Sequence, residues 1–557
     1  MGRRTRVEQD ELGPIVRRQH AERAGRVGTA SHRGVTIVFL TFVVIALVAA
    51  GTIAAVLHGQ NVHSAASPKR ARHVVIFLVD GASSFPVRLM PTVNRLARAG
   101  TSYDRAWIGQ WPSVRPASGA TTGTGVFPRE NGILGASWLD PTTAREIQPT
   151  APGAVRLGSI DQILESRHLT PIAAAIKDRN PGSKVLAVGG VGCAPADAAA
   201  SWLADYVLCI GRQGHRWVES AVIGHGLPPG TARTASVPIA SGRGIGPQLE
   251  GWQLGSQDDQ ITQNAIGAIH VARPQLTIIE FPEPAAVLPF VPAGRRSEVT
   301  RTLLTGVDGD IERVESALRA DRLLSGTAFV VTSGEAVSPL DHTEAVSSFS
   351  DAVIAAGGVP VYVHGGAAAA IALQDSDPQQ AQSVAQAIEA SQVNGIDAIF
   401  YRTRHGRSWG YQLQYLDPLL RPGYGDAVGA LLSTAAADEA PDVVAVYAPH
   451  TGTGTSSGSL RATGESGGFT WDTQHIPLVV SGAGVGTGQI SHFPARLVDL
   501  APTVESLLGI TPVSGDGVVL ADALATPAAG AGDAQRNRQS SLTTIIDALA
   551  GRLNASG

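Results

Sequence analysis

"HVVIFLVDG", His73 to Gly81, decides the fold: a continuous apolar run closed by Asp-Gly is the pattern of a strand buried on both faces of a parallel sheet. A helix follows in "MPTVNRLARAGT", Met90 to Thr101, with Pro91 near its start, Val93, Leu96 and Ala97 on one face and Gly100 as a stop. The alternation recurs. Further buried strands are expected in "KVLAVGG" (184–190), "QLTIIEF" (275–281), "TAFVVTS" (327–333), "DVVAVYA" (442–448) and "HIPLVVSG" (475–482), with helical patterns at 301–320 and 378–390. The fold class is therefore α/β, a mostly parallel sheet flanked by helices. In such sheets ligands sit beyond the carboxyl ends of the strands, here Asp80, 282–290, 333–336 and the loop before His475.

At 557 residues the chain exceeds a single hydrophobic core, which predicts one large domain with an insertion, or two domains, plus tails. The main domain is expected over 73–525, with about 355–430, rich in Ala, Gly and Gln, as an inserted cap subdomain, and 526–557 as a C-terminal tail. The polar stretch Pro449–Gly468 reads as a flexible loop that offers a surface for a partner. Composition is globular, with 43% hydrophobic and 16% charged residues. Residues 1–34 hold eight Arg and four acidic residues, net +4; the whole chain is −4, so the remainder carries −8. An acidic body does not attract nucleic acid.

Val35 to Leu57, "VTIVFLTFVVIALVAAGTIAAVL", runs 23 residues without a charge. At about 1.5 Å per residue it is long enough to cross the roughly 30 Å hydrocarbon core. The reading is an uncleaved transmembrane helix between a basic tail (1–34) and a stalk (58–72), although "SAAS" at 64–67 imitates a signal-peptide cleavage site. Arg17, Arg18, Arg23, Arg26 and Arg33 precede the span, against Lys69, Arg70 and Arg72 after it. That bias places the N-terminus in the cytoplasm and the body outside it, at the cell membrane. Cys193 and Cys209 are the two cysteines. An oxidising compartment favours a disulfide between them; two buried thiols are the alternative.

The framework "VVIFLVDG", "PTVNRLARAGTSYDRAWIGQWPSV", "TTGTGVFPRENGILG", "EFPEP", "FVVTSGEAVSPLD" and "TWDTQHIPLVVSGAGVGTGQIS" resembles the alkaline phosphatase superfamily, in its type I phosphodiesterase and nucleotide pyrophosphatase branch. The resemblance implies an alkaline-phosphatase-like fold and, in active members, two zinc ions that activate a Thr or Ser nucleophile for in-line displacement at phosphorus. Aligned on these motifs, Asp80 stands where the first metal ligand is expected, but Arg115 occupies the nucleophile position in "PSVRPASGAT", with Gly119 four residues later. Ala285 and Pro289 in "EPAAVLP" take a second pair of ligand positions, Gly334 and Glu335 a third, and Ser466 that of the last histidine. Arginine stays protonated and cannot act as a nucleophile.

One of six implied metal ligands and no nucleophile remain, too few for a four-coordinate zinc. The reading is a membrane-anchored, catalytically degenerate ectodomain acting in ligand binding or as a scaffold, with no cofactor. Arg115 is expected to pair with the otherwise unpaired Asp80 and to offer a site for a small anion. Glu335 is expected to be a solvated loop carboxylate, Asp341-His342 a surface pair, and His475 a hydrogen-bonded framework histidine. The alternative is an active metal-dependent phosphoric-ester hydrolase with a rebuilt site, drawing on Ser113, Ser118, Thr121 or Thr122 as nucleophile and on Glu283, Glu335 and Glu465 as ligands. A purely architectural envelope protein uses the same residues.

Overall fold

The computed structural model describes residues 70–554, apart from 87, 214–215, 223, 227–236, 239–253, 344–345, 365, 375–376, 454–455, 458–459 and 514. The basic tail, the span at 35–57 and nearly all of the stalk lie outside the described residues. No helix among the described residues is long and apolar enough to cross a membrane. At the end of the stalk Ala71 is already buried, its amide bonded to the Leu507 carbonyl.

In chain order the body runs β1 (His73–Val79), α1 (Pro91–Ala99), β2 (Thr101–Tyr103), α2 (Arg115–Thr124), α3 (Ser159–Ser166), β3 (Val185–Gly189), α4 (Ala194–Ala200), β4 (Tyr206–Gln213), β5 (Arg216–Ala221), β6 (Val237–Pro238), α5 (Ser256–Ala272), β7 (Leu276–Phe281), α6 (Ala293–Ala320) and β8 (Thr327–Thr332). The chain then builds a second sheet: α7 (Val346–Ala355), β9 (Pro360–His364), β10 (Ala368–Leu373), α8 (Pro378–Ala390), β11 (Ile396–His405), β12 (Ser408–Leu416), α9 (Pro422–Ser433) and β13 (Val443–Tyr447). It returns through β14 (Leu478–Gly482) and β15 (Gln489–Ser491) and finishes in α10 (Ala531–Asn554).

The ten-stranded main sheet has the order β15-β2-β14-β8-β1-β7-β3-β4-β5-β6. Its centre, from β8 to β4, is parallel, while β14 and β5 run antiparallel beside it. β1 shows why the apolar run is continuous: Val74, Ile76 and Leu78 enter one core layer and Val75, Phe77 and Val79 the other. Side chains alternate across a strand, so burial of both faces demands apolar residues at every position.

Two assignments from sequence are corrected. "DVVAVYA" is not in the parallel sheet; β13 lies within the five-stranded antiparallel sheet, order β9-β10-β13-β11-β12. Helices α7 and α8 cover one of its faces and α9 covers the other, so a doubly buried antiparallel strand reads like a parallel one. Residues 526–557 are not a tail outside the domain. α10 seats Leu542, Ile546 and Leu549 in the core that holds Tyr424, Val428 and Leu431 of α9, and Arg552 forms a bidentate pair with the buried Asp397 at 2.7 and 2.9 Å. Parts of the loop over 449–468 are also tied down, Thr451–Gly452 pairing with His342–Thr343 and Gly464–Glu465 with Ser338–Pro339.

The Cys193–Cys209 disulfide is formed, with Cα atoms 5.2 Å apart, and joins the start of α4 to β4. Closing a loop of this length contributes about 3 kcal/mol. A Cys193→Ser, Cys209→Ser double variant is therefore expected to lose about 3 kcal/mol in urea unfolding; an unchanged midpoint would show that the bridge adds nothing.

Candidate functional site

Three neighbouring central strands, β8, β1 and β7, bring their carboxyl ends together. β1 runs directly into Asp80, whose amide donates to the Phe281 carbonyl at the end of β7 (3.1 Å). Glu280 lies in register with Leu78 on β7, and Glu335 follows the end of β8 by three residues. Gly81 next to Asp80 has φ +86°, and a Cβ there would collide with the backbone of Pro284 and Ala285. Only glycine allows the short helix Glu283–Val287 to approach so closely.

The start of α2 packs onto this corner, with Arg115 and Ser118 against Gly334. Val114 is extended, Pro116 sits in the first turn where its missing N–H costs nothing, and Gly125 in the left-handed region ends the helix. The body of α2 is nearly all small residues, and it lies directly on α4: a Cβ on Gly119 would collide with the Pro195 carbonyl, and one on Gly123 with that of Ala199. Gly119 is thus accounted for by helix packing. Gly119→Ala is expected to cost about 1–3 kcal/mol by overpacking, read as a lower thermal midpoint; an unchanged midpoint would mean that the two helices separate freely.

The contact fixes Arg115 at the mouth of the strand ends. Its Nε pairs with Glu335 Oε2 at 3.0 Å and its Nη1 with Glu280 Oε1 at 3.4 Å, with 30% of the side chain exposed. Asp80 is fully buried; Oδ1 accepts the Gly334 amide at 2.9 Å, and Oδ2 has no hydrogen-bond partner among the described residues. The expected Arg115–Asp80 ion pair is therefore replaced by pairs to the two glutamates, which engage different nitrogens of the guanidinium. Glu335 is not a solvated loop carboxylate. It is buried between Arg115 and Ser466, whose hydroxyl donates to Oε1.

Burial, with Glu280 alongside, pushes the Asp80 carboxyl well above the usual range, while Arg115 and the Gly334 amide oppose the shift. Burial also raises Glu280, against the pull of Arg115 and of the Gly190 and Ala196 amides. For Arg115, burial alone lowers the pKa, but Glu335, Glu280 and Asp80 outweigh it and raise it. The guanidinium is the charge around which the three acids are organised.

The other sequence candidates fall into place around this cluster or away from it. Ala285 packs on the Asp80-Gly81 turn, and the Pro289 carbonyl accepts the Thr463 amide. Glu283 is fully buried but accepts the Gly255 amide, apart from Arg115. Ser113 donates to the Gly468 carbonyl and Thr121 accepts from Asn131, so both are framework groups; the buried Ser118 and Thr122 hydroxyls have no hydrogen-bond partner among the described residues. Asp341 is exposed and pairs with His450 at 3.3 Å. His475 stacks on Trp471 and faces the Asp104 carbonyl.

Sequence reading missed Glu280. The signal was present, since it is the one charge in the apolar run "LTIIEF", next to the strand's carboxyl end. A charge there needs a buried partner. The cavity between the body and the second sheet, lined by Trp111, Leu134, Trp138, Ala370 and Pro441, is about 90 Å3 and contains none of the four charged groups.

A family model described as type I phosphodiesterase / nucleotide pyrophosphatase matches residues 74–451. No curated protein matches the sequence. Among solved structures the chain is similar to wild-type alkaline phosphatase PafA, at 13% identity and TM-score 0.60, over 82% of this chain and 99% of that one. It is also similar to human ectonucleotide pyrophosphatase / phosphodiesterase 5, at 12% identity and TM-score 0.53, over 82% of this chain and 100% of the other. The murine counterpart gives 12%, 0.51, 80% and 97%. At these identities the structural likeness concerns the fold.

Proposed function

The chain belongs to the type I phosphodiesterase / nucleotide pyrophosphatase family, and from that premise we propose that it is a membrane-anchored, extracytoplasmic member whose catalytic centre has become an arginine–carboxylate cluster and which acts as a scaffold. One observation carries the reading: Arg115 stands at the start of α2, over the carboxyl ends of β8, β1 and β7, and is held there by Glu280 and Glu335. The family implies two zinc ions in such a corner. These residues do not fit them: the cluster offers only oxygen donors, and its central position is taken by a fixed cation that repels a dication. A cation at a helix start also opposes the macrodipole, by about 0.3–1 kcal/mol, and the two ion pairs offset that cost.

A small anion at Arg115 is the weaker form of the proposal, because it must displace a carboxylate from the guanidinium. The alternative of a working hydrolase with a rebuilt site draws on Glu283, Glu335 and Glu465, but Glu335 is already paired with Arg115 and Glu283 lies apart from the corner, on the Gly255 amide. The span at 35–57 is proposed as the anchor and about 355–430, which lies within the second sheet and its helices, as the cap. A disulfide in the body supports an oxidising, extracytoplasmic location.

Restoring a hydroxyl by Arg115→Thr is expected to leave hydrolysis of an aryl phosphodiester at the background rate, because the imidazole ligands are still missing. Efficient turnover by that single variant would contradict the proposed loss of the metal centre.

A further inference from the structure

A second polar cluster includes Asp197, midway along α4, the helix on which α2 packs. Asp161 on α3, Asp197 on α4 and His225 in the loop after β5 direct ligand-type atoms at one another within 4.8 Å. His225 Nε2 is 2.8 Å from Asp161 Oδ2 and 3.9 Å from Asp197 Oδ1, and its side chain is 1% exposed. The other ring nitrogen, Nδ1, is 2.7 Å from the Ala204 carbonyl. A carbonyl only accepts, so Nδ1 carries the hydrogen and Nε2 is turned on the carboxylates. A carbonyl on the far ring nitrogen is the arrangement that orients metal-ligating histidines.

Among the described residues the polar accounting of the cluster does not close. Asp197 is fully buried and neither of its oxygens has a hydrogen-bond partner among the described residues; Asp161 Oδ1 also has none there. Even a protonated His225 has one N–H left to give, and it reaches one of the four carboxylate oxygens. A buried carboxylate without a partner costs several kcal/mol, whereas a divalent ion accepts electron pairs from both acids and the imidazole at once.

We propose that Asp161, Asp197 and His225 form a structural zinc site, with one nitrogen and two oxygen ligands from the protein and a fourth position left for water. One imidazole with two carboxylates suits zinc better than calcium or magnesium, which take oxygen ligands alone. The site is independent of the Arg115 corner. Its effect is to clamp α3 and the loop at 225 onto α4, beside the Cys193–Cys209 bridge, and so to fix the helix on which α2 packs.

The test is zinc content of the full-length chain after exposure to zinc and dialysis into metal-free buffer. One zinc per chain is expected in the wild type and in Asp80→Asn, falling at least about ten-fold in Asp197→Asn and in His225→Gln. Should either variant fail to fold, cobalt(II) exchanged into the wild type is expected to give the visible bands of a four-coordinate site, and chelator to lower the wild-type thermal midpoint. Failure of the wild type to retain zinc, or equal retention by Asp197→Asn and His225→Gln, would overturn the site. Loss of zinc in Asp80→Asn instead would place the metal in the Arg115 corner and count against the proposed function as well.

Discussion

Arg115→Ala is expected to destabilise the protein by about 3–5 kcal/mol near neutral pH, the cost of leaving buried acids without their cation. Glu280 is 1% exposed and Asp80 fully buried. Partial exposure of the arginine places the effect toward the lower end of that range. The pH dependence has a definite sign. Asp80 and Glu280 already have folded pKa values raised above the usual carboxylate range. Groups raised in this way bind more protons folded than unfolded, so their contribution to stability is undiminished below the unfolded pKa and falls as pH rises through the folded one. Removing Arg115 takes away an interaction that lowers both values, so the loss becomes larger and extends to higher pH. Urea unfolding at pH 5 and pH 8 is expected to show the variant penalised more at pH 8. An equal penalty at both would mean that the acids do not depend on Arg115.

The second large effect is expected at the other end of the chain. Ending it after Gly530 removes α10, which buries Leu542, Ile546 and Leu549 and whose Arg552 pairs with Asp397. Three aliphatic side chains of this size contribute roughly 1.5–3 kcal/mol each, and Asp397, 1% exposed, is left as an unpaired buried charge. The sum reaches about 5 kcal/mol or more, comparable with the whole stability of an ordinary domain. The shortened chain is expected in the insoluble fraction, and Arg552→Ala alone is expected to lower the thermal midpoint without abolishing folding. A shortened chain as soluble and as stable as the parent would show that α10 is dispensable.

The centre of the fold was legible because burial on both faces of β1, β7 and β8 selects mainly apolar residues, with Glu280 the one carboxylate among them, and that pattern is written in consecutive letters. The same logic misplaced β13, since periodicity reports that a strand is covered and not which sheet it joins. α10 was missed although Leu542, Ile546 and Leu549 follow helical spacing; the stripe is narrow and set among polar residues. At the site, the motif framework put Asp80, Arg115, Gly334, Glu335 and Ser466 in one corner, and the structure places them within one network. The partner of Arg115 was misjudged. Choosing between Asp80, Glu280 and Glu335 depends on the register of three strands and the approach of α2, which no local pattern encodes. His225 was not singled out for the same reason: its two acidic neighbours are 64 and 28 positions away in the chain.

The most direct measurement is zinc-dependent hydrolysis of an aryl phosphodiester and an aryl phosphate by the purified full-length chain, alone, with chelator, and as Asp80→Ala. A corner organised around Arg115 predicts background rates throughout, whether or not the chain carries zinc. Turnover abolished both by chelator and by Asp80→Ala would contradict it.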